Sequence, residues 1–190
     1  MRTIAALTLA VAASGFACGG DPVGPSGAAG TLNLMIKDSP YSDAKSLLVT
    51  FSEVTAHRDG EGGFTTLPFA GGATLRTCDL KKLVDAQDVL GVGTMPEGHY
   101  TQLRLVVSSA VLYFDSAAAG PACASAVGTP VGRSAVLEIP SGEVKLNRPF
   151  DVTPTGATTI LIDFDGDKSV TETGNGKFRM TPVIGVVSVQ

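Results

Sequence analysis

The chain has 190 residues, 44% of them hydrophobic and 17% charged, which is enough for one good core and short for two full-sized domains. Its formal net charge of −4 disfavours nucleic acid phosphates and offers no electrostatic attraction to anionic lipid, so no nucleic-acid partner is expected. With 23 Gly, 11 Pro, no Trp and many Val, Thr and Ile, the composition favours short strands joined by turns over a helical bundle.

Residues 1–17 carry one charge, Arg2, followed by the apolar run Ile4 to Ala13. That run is too short to span a bilayer and suits the hydrophobic core of a signal peptide. The segment ends in "SGFACGG". Ala17 followed by Cys18 resembles the lipobox of bacterial lipoproteins, whose Cys is acylated, with palmitate-type chains, and becomes the mature N-terminus. Gly15 and Phe16 stand where that pattern has an aliphatic and a small residue, and an ordinary signal peptidase could also cut after Ala17. The expected location is the bacterial cell envelope, with the protein lipid-anchored to a membrane and facing the periplasm or the cell exterior. The alternative is free secretion.

Residues 18–30 are the anchor Cys18 and a Gly-rich, unperiodic linker, a flexible tether with a reach of roughly 20 Å. Residues 31–190 form the folded domain. "TLNLMIK" alternates Leu32, Leu34 and Ile36 as a strand does, and Asp38 to Pro40 read as a turn. "SLLVTFSEVTAHR" puts Leu47, Val49 and Phe51 on one face, and "DGEGG" turns it into "FTTLPF" as a hairpin. "DLKKLVDAQDVLG" is the one helical stretch, with Thr77 or Asp79 as cap and Gly91 as stop.

Cys78 and Cys123 remain as an even pair if Cys18 carries lipid. A disulfide between them closes about 45 residues and contributes on the order of 3 to 4 kcal/mol in the chain-entropy model; two free thiols are the other reading. "MPEGHYTQLRLVV" turns at Pro96 to Gly98 and begins a strand at Tyr100, whose ring suits the core and whose hydroxyl suits the rim. Asp115 to Gly132 read as an exposed loop, and Pro140 to Gly142 as a turn. In "ILIDFDGDKSV", Ile160, Ile162 and Phe164 share one strand face while Leu161, Asp163 and Asp165 share the other. Turn signals about every ten residues favour an all-β antiparallel β-sandwich over parallel βαβ units.

The ordered set "LNLMIKDSP", "VTFSEVTAHRDGEGGFTTL", "CDLKKL…VLG", "MPEGHYTQLRLVV", "EIPSGEVKL" and "TTILIDFDGDKSV…KFRMTPVIGVV" resembles the bacterial lipoprotein domain of unknown function 4382. The resemblance covers Thr31 to Val189 and implies a secreted, commonly lipid-anchored β domain without an established activity. "MPEGHY" also resembles the strand start of transthyretin-like and other immunoglobulin-like sandwiches.

Asp163, Asp165 and Asp167 around Gly166 raise calcium. An EF-hand loop starting at Asp163 needs Gly at its sixth position and Glu at its twelfth, where this chain has Lys168 and Gly174. The competing reading is a turn in which Asp165 or Asp167 bonds backbone amides. An ion pair of Asp163 or Asp165 with Arg104 is a third. His57 and His99 flank turns without the convergent ligands of a transition-metal site, and no "G-x-S-x-G" nucleophile elbow is present. No catalytic residue and no obligatory cofactor is therefore expected. The sequence reading is a cell-envelope lipoprotein whose β-sandwich has a non-catalytic binding, adhesion or structural role, its partners being the membrane through the anchor and an envelope protein or surface polymer. A calcium-binding module is the first alternative and a secreted enzyme of unknown type the second. The loop from Asp115 to Gly132 and the hairpin tip from Arg58 to Gly63 are the candidate contact regions.

Overall fold

The computed structural model describes residues 27–39 and 41–190. The signal segment, Cys18, most of the tether and Pro40 lie outside the described residues.

Alternating burial builds the first strand: β1 (Ala29–Ser39) turns Leu32, Leu34, Ile36 and Asp38 inward. It starts inside the expected tether because Gly30 is a packing residue, where an added Cβ would collide with the Thr153 carbonyl oxygen. Asp38 and Ser39 continue the strand instead of turning. β2 (Ser46–Arg58) and β3 (Phe64–Thr66) form the expected hairpin, with Thr55 opposite Thr66. β4 (Arg76–Asp79) follows further along the same edge of β2, at Leu48 to Phe51.

The helix expected over 79–91 is not formed. A single 3-10 turn, Leu80–Lys82, is capped by Asp79 accepting from the Lys81 N–H, and the chain then becomes β5 (Asp88–Pro96). The segment is too short to hold a helix unaided, and pairing with β1, Leu34 opposite Gly91, satisfies its backbone instead. Leu80, Leu83 and Leu90 are buried all the same.

After a turn at Glu97, β6 (Gly98–Tyr113) runs the length of the molecule beside β2, Ser46 opposite Tyr113 and Arg58 opposite Tyr100. The remaining strands are β7 (Cys123–Ala124), β8 (Ser134–Glu138), β9 (Glu143–Leu146), β10 (Phe150–Val152), β11 (Ala157–Asp165), β12 (Val170–Gly174), β13 (Lys177–Met180) and β14 (Ile184–Val189). Among the described residues one short α-helix, α1 (Gly166–Ser169), sits at the "DGD" turn.

Two sheets pack face to face as an all-β sandwich. One has the order β14-β11-β1-β5; the other runs β12-β13-β8-β6-β2-β4-β7, with β9 and β10 also on β6 and β3 also on β2. The expectation of purely antiparallel sheets is corrected at two places. β1 pairs with β11 in parallel from Thr31 opposite Ala157 to Ser39 opposite Asp165, and β8 pairs with β13 in parallel at Leu137 and Glu138. Parallel pairing needs a long crossover, here supplied by whole sheets of chain between β1 and β11 rather than by a helix. Phe51 meets Phe164 edge to face at 6.3 Å across the core, and Tyr100 stacks on Phe150 at 5.1 Å with its hydroxyl donating to the Pro96 carbonyl at 2.8 Å.

Cys78 and Cys123 are joined, with Cα atoms 4.1 Å apart across the β4–β7 pair. Replacing both by Ala is expected to lower the unfolding free energy by about 3 to 4 kcal/mol in denaturant titration. A loss below about 1 kcal/mol would mean that the loop is held by its other contacts alone.

Candidate functional site

Strand register sorts the side chains to two ends. Ala29 lies opposite Pro96, Arg58 opposite Tyr100 and Thr31 opposite Ala157, so the start of the domain, the hairpin tip and the Thr153–Gly156 turn share a near end. Ser39, Ser46, Tyr113 and Asp165 share the far end. The 16 residues of β6 separate the ends by roughly 50 Å.

At the near end, Arg58 pairs with Glu61 and donates to the Glu97 carbonyl at 2.8 Å, which fixes the hairpin tip against the β5–β6 turn. His99 Nδ1 lies 2.7 Å from Asp151 Oδ1, beside an open cleft of about 510 Å³ that Thr153 and Pro154 also line. Asp151 can orient the imidazole, yet among the described residues no hydroxyl or thiol bonds to His99 as a nucleophile would. His57 sits on the next strand, Nδ1 3.2 Å from Thr101 Oγ1 and its ring 5.1 Å from Phe64. Arg104 does not reach the acidic run. Its guanidinium lies 3.9 Å from the Phe64 ring centroid, with Glu143 3.6 Å from its Nε.

The acidic run is at the far end and is divided by the strand. Asp163 and Asp165 face outward, where Lys37 Nζ lies 3.4 Å from Asp163 and Ser39 Oγ donates to it at 3.3 Å. Asp165 accepts from the Lys168 N–H at 2.9 Å and pairs with its ammonium at 2.7 Å; this bond holds its carboxyl below the ordinary range. Asp165 therefore stabilises the turn. Asp167 stands exposed in α1. Among the described residues, no three His, Cys, Asp or Glu side chains converge in a way that could hold a metal.

Asp38, read from sequence as part of a turn, is the unexpected member of this region. It points inward, 3% exposed, with Oδ1 accepting from the Gly166 N–H at 3.1 Å and Oδ2 without a partner among the described residues. Burial pushes its pKa up to about 7; the Gly166 N–H and Lys81 oppose the rise, and Asp163 and Asp165 add to it. The only signal in the sequence is its even spacing from Leu32, Leu34 and Ile36, a spacing followed at once by the turn residues Ser39 and Pro40.

The far-end loop is more ordered than its composition suggests. Asp115 and Arg133 close its base at 2.9 Å, Ser116 Oγ donates to the Val131 carbonyl at 2.6 Å, and the disulfide pins its middle to β4. The Ala118 N–H donates to Ser46 Oγ at 2.7 Å, while Ser46 Oγ donates to Asp79 at 2.8 Å. The loop thereby covers Leu48 and Tyr113 on the outside of the larger sheet and makes a second small core with Ala118. Beside it opens a cleft of about 460 Å³ floored by Phe114 and Phe178, whose rings lie 5.7 Å apart, with Arg133, Ser134 and Ala135 along one wall. Val131 and Val136 stand at this surface 77% and 75% exposed.

Residues 29–182 match the family described as domain of unknown function (DUF4382). The chain belongs to the DUF4382 family. No curated protein and no solved structure matches it. The family match spans both ends of this DUF4382 sandwich, from the Ala29 start through the far-end loop and the β12–β13 hairpin.

Asp38 gives a pH test. Its pKa rises from an ordinary 3.8 to about 7 on folding, so the stability contributed by the protonated carboxyl is complete below about pH 4 and is lost as pH rises toward 7. Asp38→Asn, which stays neutral, is expected to match the wild-type melting temperature near pH 4 and to exceed it at pH 8. Melting curves that stay parallel across this range would show that folding leaves the Asp38 carboxyl at its ordinary pKa.

Proposed function

We propose that this protein is a cell-envelope lipoprotein, anchored through Cys18, whose β-sandwich is a non-catalytic module that binds an envelope protein or surface polymer with its far end. The observation that carries the reading is the opposition of the two ends. The chain joins the sandwich at Ala29, beside Pro96 and the hairpin tip, while the stapled loop with exposed Val131, and Val136 on β8, lie roughly 50 Å away. A tether joined at the near end directs the far end away from the membrane. Of the two contact regions named from sequence, the loop from Asp115 to Gly132 is then the one available to partners, and the hairpin tip from Arg58 to Gly63 faces the anchor side.

The binding role draws support from the rim chemistry. A disulfide and side-chain bonds to Ser46 and Asp88 hold the loop rigid, which lowers the entropy cost of engaging a partner. Exposed Val131 and Val136 beside an aromatic-floored cleft supply apolar area for contact.

Intact-mass spectrometry of the protein recovered from its native envelope tests the anchor. The expected result is a chain beginning at Cys18 with a diacyl or triacyl mass, gaining two hydrogens on reduction as Cys78 and Cys123 open. An unacylated mature chain would overturn the anchor and leave a freely secreted domain.

A further inference from the structure

We propose that the gap between β8 and β13 is a strand-accepting slot for an extended peptide of a partner protein, one in which apolar and acidic residues alternate. This rests on the binding reading above and assigns it a site and a ligand chemistry.

The register of the larger sheet exposes the slot. β8 pairs antiparallel with β6, Ser134 opposite Tyr113 and Val136 opposite Val111, and the Phe114 N–H donates to the Arg133 carbonyl at 3.1 Å. Phe114 and Arg133 are therefore a hydrogen-bonded pair. Because such pairs alternate along an antiparallel ladder, Leu112 and Ala135 form the next one. Ser134 and Val136 then turn their N–H and C=O groups away from β6.

On that other side β8 meets β13 only at Leu137 and Glu138, opposite Phe178 and Arg179. The turn through Asn175 and Gly176, both at positive φ, carries the β12–β13 hairpin away before it can reach Ser134. The parallel pairing at Leu137 takes up the Val136 carbonyl, which accepts from the Phe178 N–H, and leaves the Ser134 N–H and C=O and the Val136 N–H beyond the ladder among the described residues; the opening continues from the 460 Å³ cleft into a second of about 250 Å³ that Lys177 and Glu138 line. A strand laid beside β8 would bond these groups as a neighbouring strand does.

The walls select the occupant. On the core side the floor is Phe114, Phe178 and half-buried Ala135, which suits apolar side chains at every second position. At the rim, Arg133 is matched by Asp115 and Arg179 by Glu138, while Lys177 is exposed and in no ion pair among the described residues. The slot thus carries a surplus positive charge on a chain of net charge −4. Charge complementarity favours an acidic strand over a basic one and over a second, equally acidic copy of this chain.

The test uses the full chain in detergent and a displayed library of ten-residue peptides, selected on wild type and counter-selected on Val136→Pro. Proline at 136 removes a donor that faces the slot and leaves the bonds of Ala135 to β6 in place, a position where a sheet edge tolerates it. The expected result is enrichment of alternating apolar and acidic sequences. Their affinity should fall at least tenfold on Val136→Pro and several-fold on Lys177→Glu, and the Ser134 and Val136 amides should become protected from hydrogen exchange on binding. Lys177→Glu, at an exposed turn, carries the test if the proline variant does not fold. Failure to enrich, enrichment of basic sequences, binding unchanged by both variants, or self-association lost on Val136→Pro would each overturn the proposal. None of these outcomes bears on the acyl mass at Cys18, so the slot and the anchor fail separately.

Discussion

The parallel pairing of β1 with β11 is the constraint on which the rest of the structure depends. It joins residues more than 120 positions apart, as in the contact of Asn33 with Thr159, and it forms the centre of the smaller sheet. β5 and β14 attach only to its two outer edges, and the inward row Leu32, Leu34, Ile36 and Ile160, Ile162, Phe164 is the surface on which the larger sheet packs. Closing so long a loop costs entropy before any contact offsets it, which makes this a late, cooperative step by the logic of contact order.

The same pairing creates the far end. Both strands finish there, and the inward alternation of β1 carries one residue too far: after Ile36 comes Asp38, a carboxyl where the pattern requires a hydrophobe. Its bond to Gly166 ties the end of β1 to the start of α1, and Asp165 caps that same turn. What reads in sequence as a cation-binding run is thus a junction in which Asp163 and Asp165 have separate structural work. Lys37 and Lys168 neutralise the outward pair, and burial suppresses the charge of the inward one.

The larger sheet is continuous through β6 and β2 but opens between β8 and β13, and the opening lies next to the one long loop that the disulfide holds still. Rigid support beside incomplete pairing gives the far end both order and unmet hydrogen-bonding capacity. The near end is held differently. Its polar groups are spent on one another, Arg58 on Glu61 and Glu97, and His99 on Asp151.

The sequence by itself determined what local periodicity and turn chemistry can encode: the strands of the β2–β3 hairpin, the inward and outward faces of β11, the roles of the Tyr100 ring and hydroxyl, and the all-β class. Those features depend on neighbours within a few residues, so one chain read alone suffices. Tertiary structure decided what depends on distant partners. The segment after Lys82 is apolar at helical spacing, yet β1 offers it a ladder and it extends as β5. Gly30 looks like linker until Thr153 packs against it. Asp38 resembles a turn residue until β11 draws it inward, and no pattern in Ser134 to Val136 reveals which backbone groups go unpaired, because that is set by where the β12–β13 hairpin turns away.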